Sequence, residues 1–193
     1  MSQAQIMYSC RLPDWVVRPG KAVTAMIAAI TMASPALADV PSTYVIPDRD
    51  LDFGVMAVFG SGNRTITPFG GVTDSGIMPA SGDNPTPAHF SVGYDRGNEG
   101  NKSIDVIFLV TFGVVPPVTQ GGVTGIVSNL TSDLPGALTI TAGHTVQISI
   151  NNCRVRQCGV SFNVGGRLDV TSLYGGADLS TPVPVSVTVV SVI

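Results

Sequence analysis

The sequence predicts an all-β protein, folded as a Greek-key β-sandwich of about eight or nine strands. Short stretches in which apolar and polar residues alternate recur from residue 39 to residue 193, and no segment in this range shows a convincing 3.6-residue period. Gly, Pro, Asn and Asp separate these stretches, and the chain contains 22 Gly and 14 Pro. Alternating stretches bounded by such turn-forming residues are typical of strands.

The composition is that of one globular domain. Of the 193 residues, 44% are hydrophobic and only 12% are charged. Coiled coils are rich in Ala, Glu, Lys, Leu and Arg, and disordered chains are poor in apolar residues, so both classes are excluded. The formal net charge of −3 provides no basic surface for a phosphate backbone, and nucleic acid is therefore not expected as a partner.

The first 38 residues have the pattern of a cleavable signal peptide. Three basic residues precede an apolar run at residues 22–33, and Ala36 and Ala38 then form a small-x-small site, which predicts cleavage between Ala38 and Asp39. A transmembrane anchor is the alternative, but the run is shorter than the ~20 residues that cross a bilayer. We therefore expect export to the periplasm, the outer surface or the extracellular medium.

Export would place the remaining cysteines in an oxidising compartment. Cys10 belongs to the predicted signal peptide, and its removal leaves the even pair Cys153 and Cys158. The pair lies between two alternating stretches, so we predict a structural disulfide that closes the mouth of a hairpin. A redox-active pair would have C-x-x-C spacing at a helix start, and a metal site would need a nearby His, so both alternatives are less favoured.

Residues 39–50 are predicted to form an N-terminal extension and residues 51–193 a single sandwich domain, since no linker, charge block or internal repeat divides them. Residues 73–87 contain three Pro and two Gly, which predicts a long surface loop. The alternating stretches of the domain lie at residues 51–57, 65–67, 88–94, 104–110, 126–127, 138–140, 146–150, 160–164, 168–170 and 183–189.

Two of these stretches are expected to supply much of the core. In the first, Leu51, Phe53, Val55 and Ala57 share one face of the strand. The stretch at residues 104–110 is apolar on both faces after its Asp, which predicts a strand in the middle of a sheet with cover on each side. This second strand is the predicted centre of the core.

The segment at residues 162–170 is predicted to form a hairpin. Two apolar side chains on one face precede Gly165 and Gly166, which can adopt the positive φ angles of a tight reversal, and two further apolar side chains return to the core. The residues that define this motif are Phe162, Val164, Gly165, Gly166, Leu168 and Val170.

Several landmarks occur together and in order along the chain. They are an LDFG sequence that ends at Gly54, an FSV sequence at residues 90–92, the FNVGGRLDV segment at residues 162–170, and a final strand rich in Val and Thr. This combination resembles the secreted bacterial family called domain of unknown function 4402, over residues 51–193. The resemblance implies a Gram-negative, exported, immunoglobulin-like β-sandwich similar to pilin-like surface subunits. It implies no established activity and provides no catalytic residues.

An enzyme is the least favoured function. His89 and His144 are the only histidines, they lack the spacing of a metal pair, and neither a G-x-S-x-G sequence nor a glycine-rich phosphate loop is present. His89 alternates out of phase with its apolar neighbours and is expected to face solvent, whereas His144 is expected in a turn. We predict no catalytic residue and no cofactor.

The acidic residues before the first strand are expected to be structural. Asp48, Asp50 and Asp52 suggest a calcium loop, but an EF-hand needs Gly at its sixth position, and counting from Asp48 places Phe53 there. We therefore predict that these side chains form the polar face of a strand, and we predict no metal site.

The first functional hypothesis is an exported structural or adhesive surface protein, such as a pilus-like subunit. It would associate through sheet edges with other copies or with an assembly partner of the chaperone or usher type. The final stretch at residues 183–193 extends to the chain end with alternating valines, which favours such association. Residues 39–50 could donate a strand to a neighbour, but Pro41 and Pro47 weaken this role because proline has no backbone N–H.

The alternative hypothesis is a glycan- or ligand-binding module of the cell envelope. It would use the loops at residues 74–87 and 95–102. Sugars usually stack on exposed aromatic rings, and only Tyr44, Tyr94 and Tyr174 are available, with Tyr94 expected to point inward.

Overall fold

The computed structural model describes residues 39–98, 102–172 and 175–193. The predicted signal peptide, including Ala36 and Ala38, lies outside the described residues, and Asp39 is the first residue described. The described part of the chain is all-β, with twelve strands in two sheets and no helix. It contains no helix that could span a membrane.

The strands are, in chain order, β1 (Ser42–Arg49), β2 (Leu51–Ile66), β3 (Val72–Pro79), β4 (Ala88–Asp95), β5 (Ile104–Phe112), β6 (Val118–Gln120), β7 (Val123–Ser132), β8 (Thr139–Ile140), β9 (Thr145–Cys153), β10 (Gln157–Ser172), β11 (Gly175–Thr181) and β12 (Val185–Val192). They outnumber the eight or nine that alternation predicts. β1 and β3 form where we expected an extension and a loop, and neither β6 nor β11 is among the predicted stretches, whereas β8 lies within the predicted stretch at residues 138–140.

The two sheets pack as a β-sandwich. The main path of the nine-stranded sheet runs β1-β4-β10-β2-β11, with β3 on β2, β7 on β10, and both β6 and β8 on β7. The three-stranded sheet has the order β12-β5-β9. All pairs are antiparallel, and side chains from both sheets form one hydrophobic core.

Buried aromatic rings join the two layers. Phe162 on β10 lies 5.9 Å, between ring centroids, from Phe112 on β5 of the other sheet, and 5.6 Å from Phe90 on the neighbouring β4. Such pairs stabilise by about 0.5–1.5 kcal/mol beyond the area that they bury. The four apolar residues predicted to face the core in this segment are all buried: Phe162, Val164, Leu168 and Val170.

The course of β10 shows that the hairpin predicted at residues 162–170 is wrong. β10 runs without reversal and pairs with β4, β2 and β7, and neither Gly165 nor Gly166 has a positive φ. A Cβ atom added at Gly165 would lie 2.2 Å from the backbone oxygen of Ile66, and one added at Gly166 would lie 2.9 Å from Cδ2 of Leu130. The glycines therefore permit close approach of neighbouring strands where β10 exchanges β4 for β2.

The buried face of β2 changes at Gly54. Leu51 and Phe53 are fully buried as predicted, but Val55 is 40% exposed and Met56 is buried instead. Gly54 has a φ of +71°, and the pairing of β2 with β11 shifts register at this level. A bulge of this kind shifts the alternation by one residue, so the single face predicted for the first strand is wrong beyond Gly54.

β5 is the middle strand of the three-stranded sheet, as predicted for residues 104–110. Val106, Phe108 and Val110 are fully buried. Ile107 and Leu109 point to the opposite face and are only half-buried. The expected cover on both faces is therefore present on one face only.

The Cys153–Cys158 disulfide is present, with Cα atoms 6.0 Å apart. Cys153 ends β9 and Cys158 lies in β10, which belong to different sheets and do not pair with each other. The bond therefore links the two sheets where the chain crosses between them, instead of closing a hairpin.

Two segments that we expected as an extension and a loop form strands of the larger sheet. Ser42–Arg49, within the predicted extension, forms β1 and pairs with β4 of the same chain. Val72–Pro79, within the predicted loop, forms β3 and pairs with β2. β4 is distant in sequence from β1, and the pairing of β3 with β2 contains a register shift. Local sequence patterns reveal neither feature.

Candidate interaction surfaces

The LDFG sequence holds a connecting segment against β2. The N–H of Gly54 donates to Asp52 Oδ1 at 2.8 Å, and the N–H of Val55 donates to Asp83 Oδ1 at 2.8 Å. A Cβ atom added at Gly54 would lie 2.0 Å from Asp83 Oδ1, so glycine allows this carboxylate to reach the strand. The sequence therefore has a structural role in anchoring the β3–β4 connection.

Arg64 is a fully buried cation between two aspartates. Its guanidinium pairs with Asp74 at 2.7 Å and with Asp83 at 2.7 Å, and it donates to the carbonyl oxygen of Phe53 at 2.6 Å. Burial lowers the pKa of Arg64, but hydrogen bonds and charge from both aspartates outweigh this effect and raise the pKa above its ordinary value. The cluster ties β2 to β3 and to the β3–β4 connection.

Sequence reasoning missed this cluster, although a signal was present. Arg64 has the same strand phase as Ile66, which is fully buried. A charged residue in the apolar phase of a strand indicates a buried ion pair, because an unpaired charge there would be very costly. The sequence pattern ends one predicted strand at residue 57 and begins the next at residue 65, so it places Arg64 in neither strand.

The three-stranded sheet ends in two edge strands, β9 and β12, each of which pairs only with β5 among the described strands. Neither edge strand contains a charged residue. Edge strands usually carry charges, prolines or bulges that prevent pairing with another chain. These two edges are the candidate surfaces for association with another protein.

A polar cleft of about 460 Å³ opens beside the outer face of the larger sheet, lined by Asp48, Arg49, His89 and Asn163. His89 Nδ1 and Asn163 Oδ1 are 2.9 Å apart, and His89 Nε2 lies 3.8 Å from Asp48 Oδ2. Asn163 also donates to Asp133 at 2.8 Å. His89 is on the outer face, as expected, and the cleft offers both donors and acceptors to a polar ligand.

Neither of the two tyrosines that the structure describes, Tyr44 and Tyr94, lies on a loop as part of an aromatic platform. Tyr94 is buried and points inward, as expected, and Tyr174 lies outside the described residues. Tyr44 lies across the outer face of the larger sheet, where a Cβ atom added at Gly93 or Gly159 would be 2.7 or 2.4 Å from its hydroxyl oxygen. These two glycines therefore make room for its ring.

Among the described residues, no group of three or more His, Cys, Asp or Glu side chains is placed to hold a metal ion. Asp48 accepts a hydrogen bond from the Ser91 hydroxyl of the adjacent β4 at 2.8 Å, and Asp50 is exposed. His144 is half-buried directly after a turn, where we expected it. The acidic residues thus contact neighbouring strands or solvent.

Most of the chain matches the model of a known protein family. A family model described as "Domain of unknown function (DUF4402)" matches residues 44–188, from within β1 to within β12, and so includes both sheets. No curated protein and no solved structure matches the chain. The chain therefore belongs to the DUF4402 family.

Proposed function

We propose that this protein is an exported structural or adhesive surface protein that associates through sheet edges, in the manner of a pilus-like subunit. The observation that supports this function is the pair of uncharged edge strands, β9 and β12. The backbone N–H and C=O groups of such edges pair with a strand of another chain. This function needs no reactive side chain, so we do not propose an enzyme.

The disulfide supports export. Cys153 and Cys158 are both buried, and their bond joins the two sheets. Disulfides of this kind persist in oxidising compartments and are rare in the cytosol. Together with the signal peptide predicted at residues 1–38, this favours a location outside the cytoplasm.

The edge strands of the smaller sheet are more available for association than β1 is. β1 is already paired with β4 of its own chain, and Arg156 forms an ion pair with Asp39 just before β1. Donating β1 to a neighbour would break both contacts. A chaperone- or usher-type partner would cover β9 or β12 during assembly.

Surface exposure and assembly can be tested on intact cells that produce the full chain. We expect added protease to remove the protein, and a chemical cross-linker to give dimers or larger multiples of its mass. Lysed cells provide the control for protease access. A protein that stays protected and monomeric on intact cells would overturn the proposed function.

Binding of a glycan or another polar ligand is the second candidate, favoured by the cleft beside Arg49 and His89. Deleting residues 76–86 would not test it, because this removes part of β3 and Asp83. A glycan array with the purified protein, repeated with Arg49→Ala, is the direct test. Arg154→Ala, at another exposed arginine, is the matched control. Binding that both variants retain equally would exclude the cleft.

A further inference from the structure

The long edge strands of the two sheets differ in how they are protected. β1 contains Pro47 and a register break, followed by charged residues. β3 contains Gly76, with a φ of +68°, and ends at Pro79. β12 has a register shift between Val189 and Ser191. Prolines, charges and bulges of these kinds discourage pairing with another chain.

β9 has none of these features over its first six residues. Residues 145–150 pair one for one with β5, and their sequence is Thr-Val-Gln-Ile-Ser-Ile, without charge, Pro or Gly. β-branched aliphatic residues alternate with uncharged polar ones, which suits a pleated strand. β9 is therefore less protected than β1, β3 and β12.

The pairing with β5 fixes which backbone groups of β9 are outward. The N–H of Phe112 donates to the carbonyl oxygen of His144, so the closely bonded pairs with β5 start at Val146 and recur at every second residue. The backbone N–H and C=O groups of Gln147 and Ser149 consequently point away from β5. The side chains of both residues are exposed on the outer face of the sheet.

We infer that β9 pairs with β9 of a second copy of this chain, antiparallel and about a two-fold axis, with Ile148 opposite Ile148 of the second copy. This inference rests on the proposed function and specifies the sheet edge through which the copies associate. In this register Gln147 lies opposite Ser149 of the second copy, and about four backbone hydrogen bonds form between them. The two three-stranded sheets then become one sheet that crosses both molecules.

Three observations favour a second copy as the partner. Ile148 and Ile150 point toward the core but are only half-buried, and in this register they meet aliphatic residues of the second copy. The outward side chains meet uncharged polar ones. The chain has a formal net charge of −3, and an edge without charge lets two such chains meet without placing like charges opposite each other.

The contact is small, which determines the assay. One strand pair buries less than the ~1,000 Å² that a stable interface needs, so the dimer dissociates on dilution. Sedimentation equilibrium of the full chain over a range of concentrations measures the association. Amide NMR spectra over the same range identify the edge, since the N–H groups of Gln147 and Ser149 should shift with concentration.

The chain offers a matched pair of variants. Gln147 and Thr188 flank Leu109 in one row of the sheet, and both are exposed on the same face. Gln147→Lys places two like charges near each other across the two-fold axis and should weaken dimerisation about tenfold or more. Thr188→Lys adds the same charge at the β12 edge and should leave dimerisation within about twofold.

A proline variant gives a second test. Ser149→Pro removes an outward N–H that β5 does not use, so the variant should fold and fail to dimerise. If Thr188→Lys weakens dimerisation as much as Gln147→Lys does, the inference is wrong. Amide shifts confined to β12 would also overturn it. Either result would still be consistent with association through a sheet edge. A chain that stays monomeric at every concentration would also overturn the inference, whereas the proposed function is decided separately on intact cells.

Discussion

The ion cluster of Arg64, Asp74 and Asp83 predicts a large loss of stability for Arg64→Met. Methionine keeps much of the side-chain volume but removes both ion pairs and the hydrogen bond to the carbonyl of Phe53. Breaking a buried pair from one side costs about 3–5 kcal/mol. The Asp83 side chain is 8% exposed and that of Asp74 is 21% exposed. Water can therefore hydrate part of the Asp74 carboxylate when Arg64 is replaced. We therefore expect a loss near the lower end, about 3 kcal/mol.

Urea unfolding followed by circular dichroism measures this loss. The triple variant Arg64→Met, Asp74→Asn, Asp83→Asn removes all three charges and should recover at least half of the loss. A loss below about 1 kcal/mol, or a triple variant no more stable than the single one, would refute the account of Arg64 as a paired buried charge.

Three other contacts give predictions that the same unfolding experiments can check. The double variant Cys153→Ala, Cys158→Ala should lose about 2 kcal/mol of unfolding free energy, the loop-closure value for a short loop; an unchanged urea midpoint would contradict it. Thr181 is fully buried and its Oγ1 has no hydrogen-bond partner among the described residues, so Thr181→Val should gain about 1 kcal/mol, and a lower thermal midpoint would argue against this. A hydrogen bond from Gln157, with neighbouring donors, holds the pKa of Asp95 below its ordinary value of 3.8. The ionised carboxylate therefore stabilises the fold fully above the ordinary pKa. This stabilisation is lost as the pH falls through the lower pKa of the folded protein. Asp95→Asn should therefore be less stable at neutral pH and less sensitive to acid; equal pH profiles for the two proteins would count against the contact.

The fold class could be predicted because its signal is local. Alternation and turn residues mark strands within a few positions, and the even cysteine pair marks a disulfide. Partner choice is not local. Gly165 and Gly166 suit a tight reversal and a close strand approach equally well, and the second requirement depends on Ile66 and Leu130, which are far away in sequence.

The candidate surfaces show the same limit. The absence of charge at residues 145–150 is visible in the sequence, but the position of β9 at a sheet edge is not. Arg64 lies in β2, which the sequence pattern divides into two stretches because Gly60, Gly62 and Asn63 suggest a turn. The phase of Arg64 is apparent only when residues 51–66 are known to form one continuous strand.

The late position of β10 in the chain has a consequence for how the molecule is made. β10 is the shared neighbour of β2, β4 and β7, and Gly166 must meet Ile66. Pairing between strands that are far apart in sequence makes folding slow. β2, β4 and β7 cannot pair with β10 until it has been synthesised, late in translation. A polypeptide that cannot complete its larger sheet until β10 has been synthesised stays unfolded for longer, and an unfolded chain is what the export proposed above would require.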